Sequence, residues 1–117
     1  MYSSDSRNVQ EIGFILIPGF ALMSYASATE PLRAANLLAG REIYRLSIFS
    51  PDGAPVLSSS GVSVPAEPLP ARGSGLGTAF VCAGGLPRDW RYPGVLACLR
   101  QLAREGVRSA AFREGPI

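Results

Sequence analysis

One short stretch constrains this chain more than any other: Glu11 to Ile17 holds a nearly continuous apolar run that stops abruptly at Pro18-Gly19. A run that is apolar on both faces suits a central parallel strand covered by helices on each side. The next segment, Ala21 to Leu38, is rich in Ala and Leu, sets Met23, Ala26, Ala34 and Leu37 at helical spacing, and meets a plausible stop at Gly40. Pro31 lies inside this helix. An interior proline removes one backbone bond and leaves the Ser27 carbonyl without its partner, so a kink near Glu30, or a helix that begins at Pro31, is expected. Tyr44 to Ser50 then alternates, is β-rich and ends in the turn residues Pro51-Asp52-Gly53. Strand, helix and strand over about forty residues make a βαβ unit.

Downstream, Ala54 to Pro65 reads as two short β-prone pieces about a Ser-Gly turn, a small hairpin at the sheet edge. Pro65 to Gly77 is dense in Pro, Gly and Ala and reads as an irregular surface connection. Thr78 to Ala83 is a third buried strand, ended by Gly84-Gly85. Pro93 then precedes an amphipathic helix over Gly94 to Glu105, with Val95, Leu96, Leu99 and Leu102 on one face and Arg100, Arg104 and Glu105 on the other, stopped by Gly106. Val107 to Phe112 begins a fourth strand. The expected class is α/β with a mostly parallel sheet.

A chain of 117 residues, 47% hydrophobic and 17% charged, has room for one small globular domain. Its longest apolar runs fall far short of the ~20 residues a bilayer span needs, so no membrane partner is expected. Met1 to Gln10 is polar, lacks the apolar core of a secretory signal, and reads as a disordered tail on a cytoplasmic protein. The net charge is +2 and the arginines are scattered, which argues against direct nucleic-acid contact by this segment. Cys82 and Cys98 each lie in an apolar stretch, and the chain has no histidine to complete a zinc site or a Cys–His pair. Both therefore read as buried reduced thiols, and neither a metal nor a cofactor is expected.

In an open parallel sheet, ligands bind beyond the carboxyl ends of the strands. Two tips qualify: Pro18-Gly19-Phe20 after the first strand, and Ala83-Gly84-Gly85-Leu86 after the third. Glycine there lets backbone N–H groups approach a ligand, although ordinary turns use the same residues. Glu30 is the acid of the apolar stretch from Ala21 to Pro31. Facing the tips it would accept a bond from a ligand amine; facing outward it would be a solvated charge paired with Arg33. Trp90 and Tyr92 read as packing over the loop or as a contact for a partner. The candidate ligand-binding residues are thus Gly19, Phe20, Glu30, Gly84, Gly85 and Leu86.

The run Ile12 to Asn36, above all Glu30-Pro31-Leu32-Arg33-Ala34-Ala35-Asn36, closely resembles the start of GlxA-type regulators, AraC-family proteins whose amino-terminal domain is similar to the ThiJ/PfpI branch of the class I glutamine amidotransferase superfamily. Tyr44 to Gly53, Ser60-Gly61-Val62 and Phe80 to Gly85 fit the same pattern. The resemblance implies a flavodoxin-like three-layer sandwich that binds a small effector, an amine or amino-acid derivative, and forms a homodimer to control an appended helix-turn-helix domain. It matches Glu30 to the acid beside the superfamily's nucleophile, and Gly84 and Gly85 to the loop that donates N–H groups there. Where the nucleophile elbow is due, Val107 to Ile117 shows no Cys-Thr-Gly or Ser-Thr-Gly, so no catalytic residue is expected. Residues 11–117 then read as a partial ligand-sensing domain, incomplete at its carboxyl end. The competing readings are a truncated ThiJ/PfpI-like hydrolase, hydratase or glyoxalase, and a non-functional remnant.

Overall fold

The apolar run at the start of the chain sits in the middle of a sheet and is buried on both faces. The computed structural model describes residues 3–4, 9–84 and 92–113. In chain order its elements are β1 (Ser3–Ser4), β2 (Gln10–Leu16), α1 (Leu22–Ala39), β3 (Arg41–Glu42), β4 (Tyr44–Ser50), β5 (Val56–Leu57), β6 (Ser63–Val64), β7 (Glu67–Pro68), β8 (Thr78–Ala83), α2 (Pro93–Arg104) and β9 (Arg108–Arg113). The main sheet has five strands in the order β7-β4-β2-β8-β9, and every pairing in it is parallel. Within the stretch expected to be a tail, Ser3–Ser4 pair in parallel with Arg41–Glu42, and β2 opens at Gln10.

Alternation along β2 sorts its side chains between two layers. Ile12, Phe14 and Leu16 join Phe20, Val56 and Cys82 on the face covered by Leu22, Tyr25, Ala28 and Leu32 of α1. Ile15 and, just past the strand, Ile17 join Phe49, Val81 and Ala83 on the other face, under Val95, Cys98 and Leu99 of α2. One helix on each face completes the three-layer α/β sandwich. Gly13 interrupts the run for a steric reason: a Cβ there would lie 2.9 Å from Leu76 Cδ1 and from Phe49 Cε2.

Helix α1 runs unbroken through Pro31, so it does not begin there. Proline leaves the Ser27 carbonyl unbonded, but Ser27 is exposed and water can take the bond. Gly40 ends the helix at φ +70°, donating its N–H to Leu37 O. Near that end, buried Asn36 clasps the start of β4. Its amide donates to Tyr44 O at 2.8 Å, while its oxygen accepts from the N–H groups of Ile43 (2.8 Å) and Tyr44 (2.9 Å).

Three expectations need correction. The hairpin β5–β6 is a separate two-stranded sheet rather than an edge of the main one; β7, inside the expected irregular connection, takes that edge against β4. An edge tolerates Pro68 because only one side of the strand must pair. In α2, Leu96 points to solvent and Cys98 takes its place, so the inward stripe is Val95, Cys98, Leu99 and Leu102. That set keeps the i, i+3, i+4, i+7 spacing more closely than the one expected.

Both cysteines are free; Cys82 is buried and Cys98 is half-buried, with its thiol 3.8 Å from Pro70 O. Burial pushes the Cys82 thiol up to about 11. Burial first, and then Glu105, raises that of Cys98. At neutral pH only about one Cys82 in ten thousand is a thiolate, and no reagent reaches it without opening the core. Timed alkylation read by mass spectrometry is therefore expected to modify Cys98 in the native protein and Cys82 only on unfolding. Equal rates at the two thiols would contradict this packing.

Candidate functional site

The carboxyl ends of β2 and β8 are tied together, with Ile17 N–H donating to Cys82 O at 3.0 Å. The chain beyond each strand continues that approach. Gly84 sits so close to the first tip that a Cβ on it would lie 2.6 Å from Gly19 O and 3.4 Å from Ala21 N. Two of the expected site residues, Gly19 and Gly84, are thus brought into contact.

The rest of the expected site does not assemble in the same way. Pro18 has no N–H, Gly19 N–H donates to Leu57 O at 2.9 Å, and Phe20 N–H donates to Ile17 O at 2.9 Å. The first tip therefore has no donor left for a ligand, because the β5–β6 hairpin has taken the place of one. Phe20 is fully buried, with its ring edge-on to Tyr25 at 5.8 Å; it belongs to the core rather than to a ligand wall. Glu30 faces outward with its side chain 59% exposed, bonded to Arg33 at 2.9 and 3.4 Å. It lies eight residues beyond Leu22, about 12 Å along the helix axis. Gly85, Leu86 and Trp90 lie outside the described residues, and Tyr92 packs against the α2 side of the core.

What the fold builds beside the tips is an open groove of about 1010 Å³, lined by residues 21–24 and 26–28 of α1 together with Ser59 and Ser60. The hairpin is pinned there by a bridge between Phe20 and Ser58 and by Ser59 N–H donating to Phe20 O at 2.8 Å. Ser58 organises the turn. Its buried hydroxyl accepts from the N–H groups of Ser60 (3.3 Å) and Val62 (3.0 Å) and bonds the Ser60 hydroxyl at 3.0 Å, while Gly61 supplies φ +87°. Sequence reasoning saw a Ser-Gly turn at Ser60-Gly61 and missed that it packs against the start of α1.

The groove meets that helix at its uncapped end. Ala21 occupies the N-cap position, with no side-chain cap and no acid in the first turn. The N–H groups of Leu22, Met23 and Ser24 precede the first helical bond, from Tyr25 N–H to Ala21 O, and carry the partial positive charge of a helix start. Leu22, Met23 and Ala26 make the adjoining wall apolar. Among the described residues, no three His, Cys, Asp or Glu side chains gather to hold a metal ion. Charge is concentrated elsewhere, where Arg45 bonds Glu11 at 2.6 Å and Glu42 at 2.8 Å by the amino ends of β2 and β4.

No family model matches the chain. Over 114 residues it is 55% identical to the HTH-type transcriptional regulator GlxA of Rhizobium meliloti, an alignment covering 97% of this chain and 35% of that protein. Over nearly its whole length the chain is thus similar to a part of a GlxA regulator. It spans about a third of the length of that GlxA relative. Among solved structures, an AraC family transcriptional regulator from Pseudomonas putida superposes with a TM-score of 0.77 at 31% identity, over 87% of this chain and 63% of the other. A DJ-1 superfamily protein from Agrobacterium tumefaciens superposes with a TM-score of 0.61 at 21% identity, over 87% and 52%, and shows that the fold is the ThiJ-like, flavodoxin-like sandwich.

Proposed function

We propose that this chain is the effector-sensing and dimerisation segment of a transcription regulator, binding a small amine or amino-acid derivative and controlling a DNA-binding domain that lies outside it. One observation carries the reading: the 55% identity to an HTH-type transcriptional regulator across nearly the whole chain. The groove between α1 and the Ser59-Ser60 turn supports it, and we read the effector site there. A carboxylate would meet the Leu22, Met23 and Ser24 N–H groups and the serine hydroxyls, with the aliphatic part of the effector on Leu22 and Ala26. Glu30, tied to Arg33, is no part of this site. The effector acts by binding one arrangement of the dimer more tightly than another, since a ligand shifts an equilibrium only by its differential affinity. Such a regulator works in the cytoplasm, and no described helix is long and apolar enough to cross a membrane.

Titration calorimetry against a panel of amine and amino-acid metabolites tests the proposal. At least one is expected to bind, and Ser59→Trp, which fills the groove from an exposed turn, is expected to weaken it by about tenfold or more. A panel with no binder, or a binder indifferent to Ser59→Trp, sinks this assignment.

A further inference from the structure

Arginine is spread along the whole chain, but the acids that could answer it are not. Every basic residue is an arginine; up to the end of β7 there are four of them against six acids, and from residue 69 onward seven against three. The fold turns this imbalance into a surface. In the acid-rich part Arg33 is answered by Glu30, and Arg45 by Glu11 and Glu42. On α2 the arginines are not answered. With Val95, Cys98, Leu99 and Leu102 turned to the sheet, a helix of 3.6 residues per turn sets Ala97, Arg100 and Arg104 on its outward side. Both arginines are exposed, and among the described residues neither pairs with an acid; Arg104 bonds the neutral Gln101 at 3.5 Å. The acid that follows the helix, Glu105, is turned to the β7–β8 connection, where it accepts from Gly73 N–H and from the Gln101 amide at 3.0 Å each, with exposed Arg72 within electrostatic reach.

We infer that the outward face of α2 docks on the phosphate backbone of duplex DNA, with Arg100 and Arg104 as its phosphate contacts and Arg72 at its rim. The inference goes beyond the sensor reading and rests on it at one point: in a transcription regulator, the polyanion that a basic face meets is the DNA beside the DNA-binding domain. The chemistry of the face fits phosphate. Its two arginines stand one turn apart, about 6 Å along the axis, and so can hold neighbouring phosphates of one strand. A guanidinium binds phosphate through two parallel hydrogen bonds and is more weakly hydrated than an ammonium. Ala97 and Ala103, exposed beside them, are too small to hold a phosphate chain away from the helix. Phosphate contacts carry no sequence information, so this face adds affinity and orientation and leaves the choice of site to the DNA-binding domain. Scatter along the sequence argued against nucleic acid because position in the chain does not show which charges end on one face.

The test is fluorescence anisotropy of a labelled DNA duplex of arbitrary sequence, titrated with the full chain at a series of salt concentrations. The chain is expected to bind at low salt, and the logarithm of its association constant to fall against that of the salt concentration with a slope of about −2 to −3, close to one for each arginine engaged. Arg100→Gln and Arg104→Gln are each expected to make the slope shallower by about one, and the double variant to bind about tenfold or more weakly at the lowest salt. Arg33→Gln removes the same charge from α1 and is expected to weaken binding by about twofold at most. Glutamine is a good helix former and the substituted sites are exposed, so helix content by circular dichroism should be unchanged in every variant. Absence of binding at the lowest salt, or equal losses in Arg33→Gln and Arg100→Gln, overturns the proposal. So does tighter binding of labelled polyglutamate than of the duplex, which would make the partner an acidic protein. These outcomes are separate from the calorimetric ones: a chain that binds an effector but no duplex keeps the sensor reading, and one that binds duplex through α2 but no metabolite loses only the effector site.

Discussion

Phe20→Ala is expected to destabilise the chain by about 3–5 kcal/mol, measured by denaturant unfolding with no effector present. The ring is fully buried, stands edge-on to Tyr25, and shares a cluster with Phe14, Leu16, Val56 and Cys82. Two terms add: the apolar surface no longer withdrawn from water, and the cavity left where the ring was. The cavity cannot readily close, because the backbone is held on both sides of the ring. Phe20 N–H bonds Ile17 O, and Phe20 O accepts from Ser59 N–H. The same substitution separates two roles for this residue. A core residue lowers stability whether or not a ligand is present. A loss below about 1 kcal/mol, combined with a selective loss of effector affinity, would return Phe20 to the wall of the binding site.

Asn36→Ala is expected to destabilise the fold by about 2–4 kcal/mol, a fall in thermal midpoint of about 10 °C or more. The side chain is 5% exposed and makes three hydrogen bonds to the backbone at the start of β4. Alanine leaves the N–H groups of Ile43 and Tyr44 and the carbonyl of Tyr44 without that partner in a half-buried setting. Unmet backbone groups of this kind are the expensive outcome of losing a hydrogen bond. Asn36→Asp is a sharper probe. A carboxylate still accepts from both N–H groups, but it sets an oxygen against the Tyr44 carbonyl where the amide had donated, so it too is expected to destabilise. Hydrogen exchange at Ile43 and Tyr44 localises the effect, since both amides should exchange faster in Asn36→Ala. A stability change near zero, or unchanged exchange at those two amides, would show that β4 is held by its sheet partners alone.

Much of this fold was legible residue by residue. The Ile12 to Ile17 run announced a strand buried on both faces, and β2 is that strand. Gly40 and Gly106 marked helix ends where the structure uses positive φ. The glycine tips after β2 and β8 do meet. The errors share a cause. Phe20 looked like a ligand wall because the tip was read without its neighbours, and Glu30 stayed ambiguous because helical spacing gives an angle around an axis and not the direction of the sheet. Leu96 was assigned inward because an apolar residue fitted the stripe, whereas the space beneath α2 is filled by Cys98. Asn36 carried no local sign of its clasp, since the groups it bonds belong to Ile43 and to the first residue of β4, seven and eight residues further on.

By itself, then, the sequence determined the three main strands and the two helices and marked the glycine stops of those helices, because periodicity and glycine act on the chain locally; it did not show the short strands β1, β3 and β7. Only the tertiary structure decided that the β5–β6 hairpin takes the donor of the first tip, that Ser59 and Ser60 line a groove with the start of α1, and that Met23, Leu37 and Leu38 are exposed among the described residues. Those outcomes depend on which surfaces meet across long stretches of chain, and a side chain's role is set by the partner it finds there.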